Sequence, residues 1–335
     1  MEVNGYNTGP EAEEMNEYLL ATYESVIHDP PGWRQTLHDV HRTVGAFREK
    51  SLKTYLRGRT LPADLEEADL RWTNLYRMNL KGANLARANL SGVKLEGVNL
   101  EGANLTEADV EGASLYNANL SGANLREANL ELVTLHSANL SEANLSETRL
   151  SRANLFSAYL EEVNLTEANL SEANLERAWI EKGNLTGADL TEANLRDTRL
   201  HKANLSRANL TKATFWITNV TQANFTEANL TQAIFSGTMF LLTNFAGANF
   251  TKADLTESAF AIADLSGANF SETNLSGTDI SGMGFSGANF SEMDFSEAGL
   301  SKKGFEKTNF KRANFEGALW DESTVWPEGF TPPKR

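Results

Sequence analysis

Every fifth residue from Leu65 to Trp320 is apolar, and (320 − 65)/5 + 1 gives 52 consecutive positions without one polar substitution or shift of frame. An ordinary helix cannot carry this pattern, because five steps of about 100° leave successive large residues roughly 140° apart and smear them around the axis. A flat strand cannot carry it either, since an odd period sends successive large residues to opposite faces. The chain must bend once per repeat, so that the large residue and the residue two before it point inward while the other three face water. That second inward position is nearly always small, as at Ala83, Ala88, Ala103 and Ala108, with Lys303 as the clear outlier. The position before the large residue is mostly Asn or Asp, and the two after it are mostly Ser, Thr, Glu, Gly, Lys or Arg. One such coil buries nothing by itself, so coils must stack, about 4.8 Å apart where their backbones pair.

The stretches ANLTE from Ala103, ANLSE from Ala143 and ADLTE from Ala188 resemble the pentapeptide repeat family. The resemblance covers residues 63 to 317 or so. It implies an all-β solenoid, a right-handed quadrilateral β-helix with four repeats in each 20-residue turn. Here 52/4 gives about 13 turns, a rod of roughly 60 Å filled by its own side chains. Leu dominates the interior up to Leu210, and Phe takes over at Phe215, Phe225, Phe235, Phe240, Phe245 and Phe250. Rings one turn apart are expected to stack.

Three parts follow from the pattern: residues 1–60 as a small α-helical N-terminal segment, 61–320 as the solenoid, and 321–335 as a C-terminal cap and tail. In the first, Pro10 with Glu11, Glu13 and Glu14 suits a helix start, and Met15, Leu19, Tyr23, Val26 and Ile27 form an apolar stripe. After Asp29-Pro30-Pro31-Gly32 a second stripe runs through Trp33, Leu37, Val40, Val44 and Phe47. These helices are expected to cap the open end of the solenoid, to dimerise it, or both. At the other end Trp326-Pro327-Glu328-Gly329-Phe330 resembles the closing segment of many family members, which implies that Trp326 and Phe330 cover the terminal core.

Composition narrows the function. The chain has 335 residues, no Cys, and 45 Asp+Glu against 30 Lys+Arg, for a net charge of −15. A thiol nucleophile and a Cys-ligated metal are excluded, and a direct nucleic-acid binder is not expected of so acidic a surface. No apolar run approaches the ~20 residues of a membrane span. The acidic first residues lack a secretory n-region, and the recurring Asn-Leu-Ser and Asn-Leu-Thr acceptor sequences would load the surface with glycans in a secretory route. A cytoplasmic, bacterial setting is expected. No phosphate loop or nucleophile elbow is present, and His38 and His41 read as solvated helix positions, so no catalytic residue, cofactor or metal is expected.

Residues 20 apart share a column, which sorts the surface. Glu107, Glu127, Glu147 and Glu167 fall in one, with Glu67 and Glu227 further along. Like charges about 5 Å apart repel, so this acidic stripe is a candidate contact for a basic partner. A second candidate is an outward apolar patch on two adjacent faces: Trp216, Ile217, Ile234, Met239, Leu241, Leu242 and Ile262. Tyr159, Trp179 and Arg199 share a column beside it, expected as a cation–π ladder next to Arg149 and Phe156. The function expected is a non-enzymatic rigid scaffold for protein–protein interaction, as a homodimer. The alternative, implied by the resemblance, is a DNA mimic that binds a type II topoisomerase such as DNA gyrase. Against it, family members of that kind often carry loops between repeats, whereas this array shows no insertion.

Overall fold

A single repeat shows why the chain coils. In the computed structural model the five N–H groups from Asn104 to Ala108 each find an acceptor, and together they define the unit. Asn104 donates to the carbonyl of Ala83 in the coil below at 2.9 Å, and Leu105 to Asn124 in the coil above at 2.6 Å. Glu107 donates upward to Arg126 at 2.9 Å, while Ala108 closes the corner on the carbonyl of Leu105 at 3.0 Å. The ladder leaves one donor over, at Thr106. Its acceptor is the Asn104 side chain, Oδ1 at 3.2 Å. Asn and Asp therefore precede the large residue because their side chains satisfy the corner donor that no backbone group reaches.

The corner itself is a tight turn of two residues, the second in the left-handed region, as at Glu107 (φ 58) and Gly102 (φ 64). Four corners close one coil. The structure describes residues 63–71, 73–275, 278, 285, 288–290, 310, 312–316, 326 and 329–331. Parallel bridges join residue n to residue n + 20, and the column from Asp69 to Asn289 is unbroken: (289 − 69)/20 gives 11 steps. Taking the coil of residues 195–212, side A carries Leu195, side B Leu200, side C Leu205 and side D Leu210, with corners AB, BC, CD and DA between them. On side B the bridges lengthen into two short parallel strands, β1 (Met239–Leu241) and β2 (Ala259–Ala261), paired Met239 to Ala259, Phe240 to Phe260 and Leu241 to Ala261.

The interior is solid. The inward Leu and Ala residues of the regular coils are buried, most of them completely, and burial of each such Leu contributes roughly 1.5–3 kcal/mol. The expected aromatic stacks are present. Phe215 and Phe235 lie 4.2 Å apart at 15°, Phe240 and Phe260 4.4 Å at 26°, and Phe250 and Phe270 4.9 Å at 6°. At the far end Trp326 lies 5.5 Å from Phe315, and Phe330 5.7 Å from Phe315, so both rings pack over the terminal core as anticipated.

Among the described residues the regular count fails in one place. Asn289 bridges not to a residue 20 further on but to Asn314, 25 away, and the ring stacks Phe285–Phe310 and Phe290–Phe315 make the same step. One five-residue repeat more than the four-sided period therefore lies between these coils. The expectation of about 13 turns is unaffected by five residues, but the expectation of an array without insertion is corrected at this step. Lys303, the polar residue at a small inward position, falls inside that interval. The helical segment expected at 1–60 lies outside the described residues, as does most of 321–335.

Candidate contact surfaces

Two surfaces were expected, and the coil puts them on different parts of the rod. Glu107, Glu127, Glu147 and Glu167 line corner CD, each exposed at the left-handed second corner position, with φ of 58°, 60°, 59° and 56°. Their edge is not purely acidic. Arg126, the first corner residue of the same edge, sits 2.6 Å from Glu127 and 3.0 Å from Glu147. The hydrogen bond that Arg126 donates to Glu147, and then the charges of Glu127 and Glu147, hold its guanidinium above the ordinary arginine value. Lower on the same edge Arg87 joins Glu67 at 3.0 Å and also pairs with Glu66. Sorting by twenties found the glutamates; the neighbouring column holding Arg126 was the signal that would have shown their compensation.

The apolar set gathers around side B. Trp216 and Ile217 form corner AB, Met239 stands on β1, and Leu242 and Ile262 lie on corner BC, with Ile262 71% and Met239 62% exposed. Leu241 is only half-buried, and Ile234 is exposed on side A, around the corner from the rest. Beneath this set the side B column continues downward as the expected ladder. Tyr159 and Trp179 lie 5.4 Å apart, and the Arg199 guanidinium is 3.9 Å from the Trp179 ring. Arg149 does not join it: its bridges to Asn129 and Asn169 put it on side D, opposite, where it reaches Glu131 at 3.8 Å.

A second ladder on corner AB was not anticipated. Tyr116, His136 and Phe156 succeed one another one coil apart, at 5.1 and 5.0 Å. Higher on the corner, Arg177 lies 5.7 Å from Phe156 and Arg196 lies 4.6 Å from Trp216. These columns flank side B, so aromatic, cationic and apolar groups share one long surface. A shallow cleft of about 160 Å³ opens on it, lined by Glu176, Arg177, Arg196, Asp197, Trp216 and Ile217. Arg177 is engaged by Asp197 at 3.3 Å. Arg196 and Arg199 have no carboxylate partner among the described residues. Stacking on an indole face leaves the edge of a guanidinium open to an acceptor.

A third feature, buried beneath side B, also escaped the sequence reading. Its small inward column changes from Ala178 to Thr198, Thr218, Thr238, Ser258 and Thr278. Each hydroxyl donates to the carbonyl 23 residues earlier, Thr218 to Leu195 at 2.6 Å and Thr238 to Phe215 at 2.9 Å. Among the described residues no cluster of three His, Asp or Glu side chains is placed to hold a metal, and no helix is long and apolar enough to cross a membrane.

The family described as Pentapeptide repeats matches in eight copies, at residues 63–102, 83–122, 94–131, 113–152, 148–187, 184–216, 223–260 and 263–301. No match was found among curated proteins. Among solved structures, HetL, a pentapeptide repeat protein involved in heterocyst differentiation regulation from the cyanobacterium Nostoc sp. strain PCC 7120, is 27% identical, covering 82% of this chain and 97% of its own, with a TM-score of 0.25. QnrB1, a plasmid-mediated fluoroquinolone resistance protein in a trypsin-treated form, is 13% identical over 64% of this chain and 91% of its own, at 0.23. A pentapeptide repeat protein from the Arabidopsis thaliana thylakoid lumen is 28% identical over 37% of this chain and 69% of its own, at 0.17. At TM-scores of this size the three carry no argument about partners.

Proposed function

Because this chain belongs to the pentapeptide repeat family, and its coil is the right-handed quadrilateral β-helix of that family, we propose that it is a rigid, non-enzymatic scaffold that meets another protein through side B. The observation that supports this reading is the continuous exposed set of Trp216, Ile217, Met239, Leu242 and Ile262. Corners elsewhere on the rod carry mostly polar residues, with Tyr76, Tyr116 and Leu132 as exposed exceptions, and clustered apolar groups mark contact surfaces. A filled interior supports a structural role, since side chains held on a paired ladder keep fixed spacing. The partner proposed is a second copy of the chain, because an apolar patch facing its equivalent across a two-fold axis is self-complementary.

Light scattering across a concentration series of the full chain tests the dimer. The unaltered protein is expected to reach dimer mass, and a variant with Met239→Ser and Ile262→Ser to stay monomeric; monomers in both cases remove it. A second reading, a DNA-mimicking rod that binds a type II topoisomerase such as DNA gyrase, draws on the glutamate column of corner CD. Arg87 and Arg126 on that edge weigh against it. A supercoiling assay with and without quinolone decides it, and no effect at micromolar protein eliminates it.

A further inference from the structure

Side B offers two unlike things in sequence along the rod. Arg196 and Arg199, each laid on a tryptophan ring, come first, and the apolar group from Trp216 to Ile262 follows. Any occupant must therefore present carboxylates and an apolar stripe together. The chain itself contains such a segment. Residues 1–33 carry seven acids and no Lys or Arg, and within them Met15, Leu19, Tyr23, Val26 and Ile27 recur at helical spacing.

The lengths agree. At about 1.5 Å per residue the stripe from Met15 to Ile27 spans about 18 Å as a helix. From Arg196 to Ile262 is (262 − 196)/20, or about 3.3 coils, which is about 16 Å at the spacing of paired strands. Residues 33–62 provide the tether. Arg196 stands (196 − 63)/20, or about 6.7 coils, above Ala63, a height of about 32 Å. Thirty residues reach about 45 Å as a helix, and about 100 Å when extended. A segment joined by such a tether meets its own rod at a far higher effective concentration than it meets another molecule.

We propose that side B binds the acidic amphipathic segment of residues 11–29 of the same chain, with its carboxylates on Arg196 and Arg199 and its apolar stripe over Trp216, Met239 and Ile262. The inference rests on the reading of side B as a contact surface and adds what regulates it: a partner gains the surface as the segment leaves. Charge-assisted bonds from stacked guanidiniums hold the segment, so added salt loosens it.

The absence of cysteine makes a direct test possible in the full chain. Spin labels are placed through Ala21→Cys, opposite the apolar stripe, and Ser236→Cys, on corner AB within the docking zone. One narrow distance population within about 25 Å is expected, little more than the width of a docked helix plus its labels. Arg196→Glu with Arg199→Glu is expected to abolish that population and to bring dimerisation in at lower protein concentration. A broad distribution that the two charge reversals leave unchanged overturns the proposal. So does a short distance found only between singly labelled copies in a mixture, which would assign the occupant to a second molecule. The label distance reads docking whether or not the protein dimerises, so failure here and failure of the dimer are separate results.

Discussion

Gly183 has no room for a side chain beside Ile180: a Cβ at position 183 would stand 2.8 Å from Cγ2 of Ile180 and 3.3 Å from both the Ile180 carbonyl and Cγ1 of Val163. Position 183 is the small inward position of its repeat, held elsewhere mostly by Ala, and Ile180 is the β-branched large residue of the preceding side in the same coil. The extra γ-methyl of Ile180 takes the volume an alanine would need. Gly183→Ala should therefore cost about 1–3 kcal/mol by overpacking. In an Ile180→Leu background the clash goes, and the same substitution should be neutral or favourable by about 0.4–1 kcal/mol through the unfolded chain. Denaturant midpoints of the four proteins check this; equal effects of Gly183→Ala in both backgrounds would refute the steric account.

The hydroxyl column predicts a different behaviour. Thr218 donates to the Leu195 carbonyl at 2.6 Å, and that oxygen also receives the Thr198 N–H at 3.3 Å. Thr218→Val keeps the shape and leaves the carbonyl with its second donor. The loss should be about 0.5–1.5 kcal/mol, the net worth of one hydrogen bond. Thermal melts of Thr218→Val and Thr218→Ala separate bond from packing: a valine variant as stable as the parent would show that the hydroxyl contributes nothing.

The period of five was enough to read the coil, because the large residue, its small companion and the Asn before it are each fixed by a separate demand: burial, corner volume and the spare corner donor met by Asn104. Surface chemistry was less legible. The four glutamates of corner CD were visible, but the pairing of Arg126 with Glu127 and Glu147 depends on a neighbouring column, reaching Glu147 diagonally over 21 residues. Arg196 and Trp216 were each visible at spacing 20, yet nothing in a single repeat says that a guanidinium will lie on a ring rather than in water. The 25-residue step from Asn289 to Asn314 preserves the fivefold frame, so the frame could not betray it. Lys303, out of pattern in the sequence, falls within that step.

The phenylalanine half should be more strongly coupled than the leucine half. Phe235 is buried, stacked on Phe215 at 4.2 Å and edge-on to Phe240 at 5.3 Å. Phe235→Ala should cost about 3–5 kcal/mol. A double-mutant cycle with Phe215→Leu and Phe235→Leu should return about 0.5–1.5 kcal/mol of coupling beyond lost area. Strict additivity in urea unfolding would mean that the rings act only as volume.

Arg152 and Glu172, one coil apart on corner DA, form a two-pronged pair at 3.0 and 3.2 Å. The hydrogen bond from Arg152, then its charge, lowers the Glu172 carboxyl below the ordinary glutamate value. A folded value below the unfolded one means that the pair's stabilisation is present above the unfolded value, near about 4.3, and is lost as pH falls through the folded value. Both side chains are open to solvent, so the direct readout is titration, not unfolding. The Glu172 carboxyl carbon should titrate lower in the parent than in Arg152→Gln, and about 1 M salt should shrink the difference. If Glu172 titrates at the same pH in both proteins at low salt, the pair seen across the coils does not hold its charge in solution.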